Sequence, residues 1–320
     1  MSLDPSYLVY EKRRRGMDHG FYPWSNLFER PPITWEGGTT VAVPIVVSLE
    51  WFPIQPSATP FLAPGHMQTA YPDYRHYTAR EYGTRVGFYR LLDAFAAVGA
   101  QVTVATNGAI AERYPSIVRD IVAAGHEIAA HSTDMNGTIA SGLDEAAEGS
   151  LIARSLDGLE RVAGTRPRGW LSVARSQSWN TPRLLREAGL DYMLDWVNDD
   201  LPYPFTTPSG QILNIPLNHE LSDRQIVTVQ QQSADSFRTQ LEDACIWLEG
   251  EAAQFGGRIL PIHLTPYIMG LPYRIGALEQ LLRTLRDRPG VAFVPAGALA
   301  RQCSAQFDRE NRSSRTDRAE

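Results

Sequence analysis

Val41-Ala-Val-Pro-Ile-Val-Val-Ser-Leu49, followed by Glu50, is the stretch whose reading decides the fold. It is short, rich in β-branched residues and almost free of polar ones, the pattern of a strand buried on both faces of a parallel sheet covered by helices. Pro44 lacks an N–H for the ladder and weakens the strand at that point. Outward from this strand the chain alternates. Apolar positions Val86, Tyr89, Leu92, Phe95 and Ala96 recur at helical spacing, and Gly99 follows as a stop. Strands are then predicted over 101–105, 127–130, 169–173, 192–194, 212–215, 258–264 and 291–294. Helices fall between them over 114–124, 143–162, 181–188, 236–253 and 275–286. Seven to eight strands alternating with helices predict a single distorted α/β barrel, spanning residues 41–302.

Residues 1–40 carry Pro, Gly and aromatics (Phe21, Tyr22, Trp24, Phe28, Trp35) without periodicity, and read as an arm laid over the barrel or over a neighbouring subunit. Residues 303–320 are dominated by polar and charged side chains and read as a disordered tail. With 43% hydrophobic and 21% charged residues, the 320-residue chain has an ordinary globular composition. A net charge of -6, with no Lys/Arg cluster beyond Lys12–Arg15, gives no electrostatic footprint for nucleic acid. There is no apolar run of membrane-spanning length and no secretory leader pattern. Two cysteines, Cys245 and Cys303, are too few for a disulfide framework, so a cytoplasmic, reducing setting and a small-molecule substrate are expected.

In an α/β barrel the chemistry collects where strands end. Glu50 leaves a buried strand into an aromatic surround formed by Trp51 and Phe52, where desolvation favours the proton-holding form of a carboxyl and suits it to general base work. His131 ends a second strand, and no second His follows at three to five residues, the spacing common in zinc pairs. Asp195, Asp199 and Asp200 place three carboxylates in six residues, either as catalytic groups or as an ion-pair cluster with Arg168, Arg175 and Arg274. His263 and Thr265 end the late strand before a Pro-Tyr turn.

Several of these positions lie in segments that resemble the polysaccharide-deacetylase (NodB-homology) superfamily, and in particular its allantoinase-like and cyclic-imide hydrolase branch. The likeness runs through His19-Gly-Phe-Tyr-Pro-Trp24, Tyr82-Gly-Thr-Arg-Val-Gly87, Gly125-His-Glu-Ile-Ala-Ala-His131, Arg166-Pro-Arg-Gly-Trp-Leu171, Leu194-Asp-Trp-Val-Asn-Asp-Asp200 and Pro266-Tyr-Ile-Met-Gly-Leu-Pro-Tyr-Arg274. In typical deacetylases of this superfamily the first strand ends in two aspartates, a base and a metal ligand, and a later His-Ser/Thr-x-x-His supplies two more ligands. Here Glu50 matches the first aspartate, but Trp51 stands at the second, and His131 is followed by Met135 where the second His belongs. The arginine of the family's Arg-Pro-Pro-Tyr motif falls at Leu171, and its late His at Thr265, two places after His263. An indole and a thioether do not replace hard oxygen or imidazole ligands, so no catalytic metal and no other cofactor is expected.

The resemblance implies hydrolysis of a carbon–nitrogen bond that is not a peptide bond, in a small ring amide, imide or ureide. On this reading Glu50 activates water, and His131 stabilises the oxyanion and protonates the departing nitrogen, together with Asn136 or Thr265. Arg274 or Arg168 grips a polar edge of the substrate, Trp51, Trp170 and Trp196 wall the pocket, and Asp195, Asp199, Asp200 and His263 complete it. A metal-dependent N-deacetylase of an amino sugar, with His131, Asp134 and His263 as ligands, and a non-catalytic ligand-binding barrel are the competing readings. A homodimer or tetramer is expected.

Overall fold

The structure, a computed structural model, describes residues 17–54, 73–140 and 142–316, with side chains as far as Arg309. Among the described residues eleven strands are found: β1 (Val41–Val43), β2 (Ile45–Leu49), β3 (Thr103–Thr106), β4 (Glu127–Ala130), β5 (Gly169–Trp170), β6 (Tyr192–Met193), β7 (Tyr203–Thr207), β8 (Gly210–Asn214), β9 (Arg258–Ile259), β10 (Ile262–Leu264) and β11 (Val291–Phe293). They form a curled eight-stranded sheet in the order β10-β2-β3-β4-β5-β6-β8-β7 and a three-stranded sheet β11-β1-β9. Every pairing is parallel except the β7–β8 hairpin.

The two sheets are divided at two prolines. Pro44 separates β1 from β2, Pro261 lies between β9 and β10, and the carbonyls of Ala42 and Pro44 still accept from Leu260 and Ile262 across the interruption. Thus each pair behaves as one strand whose proline gives up a single donor. The hairpin strand β7 was not anticipated, because Pro204 sits within it; as the end strand of the sheet it tolerates the missing N–H.

Alternation along the strands sorts side chains into two layers. Val43, Ile45, Val47, Leu49, Val104, Ile128 and Ala130 face the helices in one buried cluster, while Ala42, Val46, Ala105, Ala129, Leu194, Leu213 and Ile259 form a second cluster inside the barrel. The same period carries Ser48, Glu50, Asn107, His131, His263 and Thr265 onto the inner face above this second cluster. Small residues at 105 and 129 leave room there.

The helix predicted after 81 begins earlier, as Tyr74–Tyr82, then loosens into a π-helical turn, Gly83–Gly87, before continuing as Phe88–Ala96. The π turn lets the backbone come down on the short helix Pro266–Met269. A Cβ at Gly87 would stand 2.2 Å from the Pro266 carbonyl oxygen, and one at Gly270 would stand 2.4 Å from the Gly87 Cα. Two of the sequence segments that carry the resemblance therefore interlock through their glycines, and Tyr267 is fixed by that contact.

The expectation of a disordered tail from 303 is corrected: a helix runs Ala296–Thr316, and Leu299, Ala300 and Cys303 are buried against the inner cluster. These apolar residues at helical spacing supply the anchoring that composition alone hides. Of the arm, Phe21 stacks on Phe205 at 4.6 Å between ring centroids, and the Trp35 indole donates to the Arg258 carbonyl at 2.9 Å.

Candidate active site

At the C-terminal mouth of β2, β4 and β10 lies a cavity of about 150 Å³, lined by Glu50, His131, Arg175, His219, Arg224, His263 and their neighbours Ser48, Met135, Leu171, Ser172, Ala174 and Ser222. Three of the sequence candidates, Glu50, His131 and His263, are brought together here. All three are buried.

Glu50 does not sit in a bare apolar surround. One carboxylate oxygen accepts from Arg224 Nη2 at 2.7 Å and the other from Tyr267 Oη at 2.6 Å. Burial works against the charge on Arg224, but Glu50, Tyr267 and Asp223 together outweigh it and hold the guanidinium more firmly protonated than usual. The Tyr267 hydroxyl is pushed up, by burial first and also by Glu50, so it stays a donor at neutral pH. Arg80, buried, lies 4.5 Å over the Phe52 ring and 5.9 Å from that of Tyr267, closing this layer from outside.

The His131 ring sits differently. Its Nδ1 lies 2.6 Å from the Leu171 carbonyl oxygen, which can only accept, so Nδ1 carries the proton. Burial lowers its pKa and favours neutral imidazole, with Glu50 pulling weakly the other way. Its Nε2 therefore carries a lone pair and has no partner among the described residues. A neutral ring in this tautomer has no proton to donate at Nε2, contrary to the oxyanion-stabilising role expected from sequence. His263 is the opposite tautomer: Arg175 Nη2 approaches its Nδ1 at 3.3 Å, leaving Nε2 to donate to Ser48 Oγ at 2.7 Å. Burial and then the Arg175 charge keep His263 neutral, far below its ordinary value.

Arg175 is the hub of the opposite wall. It reaches His219 Nδ1 at 2.8 Å and the Leu217 carbonyl at 3.0 Å, and burial lowers its pKa to about 10. Ala174 and Arg175 have φ of 56° and 53°, and Ser132, next to His131, has φ of 60°. Of the four non-glycine residues with positive φ among those described, three border the site, as expected where backbone strain is held for function.

Asp195 stands behind the wall, not on it. Its oxygens accept from the Ser172 amide (2.7 Å), Ser172 Oγ (3.0 Å) and Gln177 Nε2 (2.6 Å), and burial lifts its pKa to about 6. It positions the segment 171–175. Thr265 likewise does not line the cavity, its amide donating to Asp223 at 2.6 Å, and burial lifts Asp223 to about 7.

The other sequence candidates lie elsewhere. Trp170 is wholly buried core, its indole donating to Ser172 Oγ at 2.9 Å, so it does not wall the pocket. Trp51 lies 4.2 Å under the Arg113 guanidinium, and Trp196 packs among His19, Phe21, Tyr22 and Phe205. Asn136 bonds through its amide to Asp134. Asp199 pairs with Arg30, Asp200 is exposed, and Arg168 pairs with Asp191 on the surface. Arg274 donates to the Ile268 carbonyl and lines a separate, open hollow beyond Tyr267. Of the segment that follows the Glu50 strand end, residues 55–72 lie outside the described residues. Sequence reading missed Arg224 and His219 because the segment 215–223 has no periodicity and the π-helix Arg224–Val229 has no simple signature.

A catalytic metal of the kind the standard motifs would hold does not fit. Trp51 and Met135 stand at two ligand positions, both Glu50 oxygens accept from donors, and both His263 nitrogens are engaged. Among the described residues no group of three or more His, Cys, Asp or Glu is arranged to bind a metal ion.

In sequence and in fold the chain is similar to the polysaccharide-deacetylase superfamily, which supports a hydrolase of carbon–nitrogen bonds other than peptide bonds. Residues 81–193 match the polysaccharide deacetylase family model. A protein of Schizosaccharomyces pombe (strain 972 / ATCC 24843) assigned to the same family is 26% identical over 244 residues, 71% of this chain and 75% of that one. Among solved structures, PuuE allantoinase is similar with a TM-score of 0.79 and 28% identity, covering 89% of this chain and 98% of its own. A structure from Pseudomonas aeruginosa PAO1, assigned to the polysaccharide deacetylases, is similar with a TM-score of 0.77 and 28% identity over 88% and 97% of the two chains. No helix among the described residues is long and apolar enough to cross a membrane.

Proposed function

We propose that this chain opens a small cyclic amide, imide or ureide by hydrolysis, without a catalytic metal, and that His131 rather than Glu50 is the base. The observation that carries the reading is the unpartnered Nε2 of a buried, Nδ1-protonated His131 on a cavity shared with Glu50 and Arg224. Nε2 takes a proton from water while the water oxygen attacks the ring carbonyl carbon, and the carbonyl electron pair moves onto oxygen. Arg224, whose Nη1 has no partner among the described residues, supports that oxyanion. As the carbonyl re-forms, the C–N bond breaks and the nitrogen takes the proton back from His131. Glu50 holds Arg224 and Tyr267 in place and favours the transient imidazolium by its charge.

The similarity to PuuE allantoinase supports a ring-amide substrate, and the small cavity suits the reacting end of such a ring better than a polymer. The two cysteines are free and buried, which fits a reducing, cytoplasmic setting. The exposed Trp24 and Phe28 of the arm fit self-association, which sedimentation of the full chain would measure.

The test is a screen of allantoin, hydantoins and cyclic imides beside N-acetylated amino sugars, with and without chelator, on wild type and His131→Asn. Ring opening that resists chelator and disappears in the variant is expected. Turnover of acetylated sugars alone, or loss of ring opening on chelation, would overturn the proposal.

A further inference from the structure

Eight buried side-chain polar atoms have no hydrogen-bond partner among the described residues, and three of them belong to residues lining the cavity at the strand ends: His131 Nε2, Arg175 Nε and Arg224 Nη1. Two are guanidinium donors. A charged donor buried without an acceptor is costly, and a cavity beside it is where an acceptor is supplied. The wall carries two cations, Arg175 and Arg224, against one carboxylate, Glu50, both of whose oxygens are already engaged. The three histidines on the wall, His131, His219 and His263, are held neutral by burial, the cations adding to it. Of the further carboxylates, Asp195 accepts from Ser172 and Gln177, Asp223 accepts from Thr265, and Glu220 acts on His219 through its charge.

We propose that this cavity is a carboxylate-binding site, with Arg175 and Arg224 as its two anchors, and that it retains the carboxylate formed by ring opening. The inference rests on the proposed hydrolysis for the origin of that carboxylate, though not for its binding. A volume of about 150 Å³ is roughly that of five water molecules, enough for a carboxylate and a short stem. Arg175 is committed through its Nη atoms to His219, Leu217 and His263, so its remaining Nε–H is a fixed donor. The strained backbone at 174–175 holds it there. Small monocarboxylates are then ligands in their own right and competitors of the ring substrate.

The experiment compares acetate with its neutral isostere acetamide, by calorimetric titration of the full chain at low ionic strength, on wild type, Arg175→Gln and Arg175→Lys. Saturable acetate binding at least tenfold tighter than acetamide is expected, weakened tenfold or more in Arg175→Gln. The Lys variant keeps the charge and lacks the Nε–H, and is expected to fall between the two. Circular dichroism of each variant separates lost binding from lost folding, and if Arg175→Gln is unfolded the Lys variant decides by the same criterion. Equal binding of acetate and acetamide, no saturable acetate binding, or acetate affinity unchanged in a folded variant would overturn the inference. Acetate binding without turnover of any ring would sink the proposed reaction and leave the anion site standing. Ring turnover without acetate binding would do the reverse.

Discussion

Glu50 and Asp195 are both buried carboxylates at the ends of inward-facing strand segments, and the two surroundings differ in what donates to them. Glu50 faces a guanidinium and a phenol, and lines a cavity. Asp195 faces an amide N–H, a hydroxyl and a side-chain amide, and has no share of that cavity. The first has a cationic donor beside it, whereas the second has only neutral donors and is left subject to burial, which raises its pKa to about 6. Strand-end position therefore selects both residues, and partner charge separates the group in the site from the group that shapes it.

The contrast is tested most severely at His131, the group that the Glu50 side of the comparison serves. His131→Asn removes the lone pair of Nε2 and is expected to lower kcat by about 10²- to 10⁴-fold, the range for loss of a general base. Single-turnover kinetics would show it. If the variant keeps more than a tenth of the rate, Glu50 regains the role of base. Next in size is Arg224→Gln, which leaves Glu50 buried without its cation and is expected to cost about 3–5 kcal/mol in a denaturant titration. A loss under 1 kcal/mol would mean that the ion pair does not hold the wall together.

The fold was legible because periodicity reports burial. Two-sided apolar strands and glycine-stopped helices marked the barrel, and Glu50, His131 and His263 followed from where strands end. What escaped has physical reasons. Arg224 and His219 come from a connecting segment whose conformation is set by tertiary contacts. The tautomer of His131 depends on a carbonyl 40 residues away in sequence. Trp170 and Trp51, read as pocket walls, are fully or partly buried in packing, because an indole beside an acidic group looks alike in sequence whether it lines a cavity or fills a core.

The Asp195 side of the comparison gives a smaller, signed effect. Asp195→Asn turns an amide NH₂ toward the donors of one of the two carboxylate oxygens and is expected to cost about 1–3 kcal/mol. The wild-type carboxyl has a raised pKa, so its contribution to stability is full below the ordinary carboxylate value and fades as pH climbs through about 6. The gap between variant and wild type should therefore narrow from acid to neutral pH, in paired thermal melts, and a gap that widens would mean that Asp195 is ionised and paired. Activity runs the other way. Burial lowers the pKa of His131, so kcat/KM should rise with pH through a midpoint below the ordinary histidine value and then level off.

The smallest effect belongs to Asp199, the third acidic residue of the same sequence cluster. It pairs with Arg30 of the N-terminal arm, and its oxygen also accepts from the Leu201 amide at 3.0 Å, remote from the residues that line the cavity. Asp199→Asn keeps a side-chain oxygen for that amide and loses only the charge, so at most about 1 kcal/mol of stability is expected to go. kcat and KM should each stay within about twofold, because the substitution leaves the reacting groups and the 171–175 segment as they were. A fall in kcat of about tenfold or more would show that the arm, and not the barrel alone, holds the site in shape, and would move the dividing line between the two carboxylate surroundings outward to the arm.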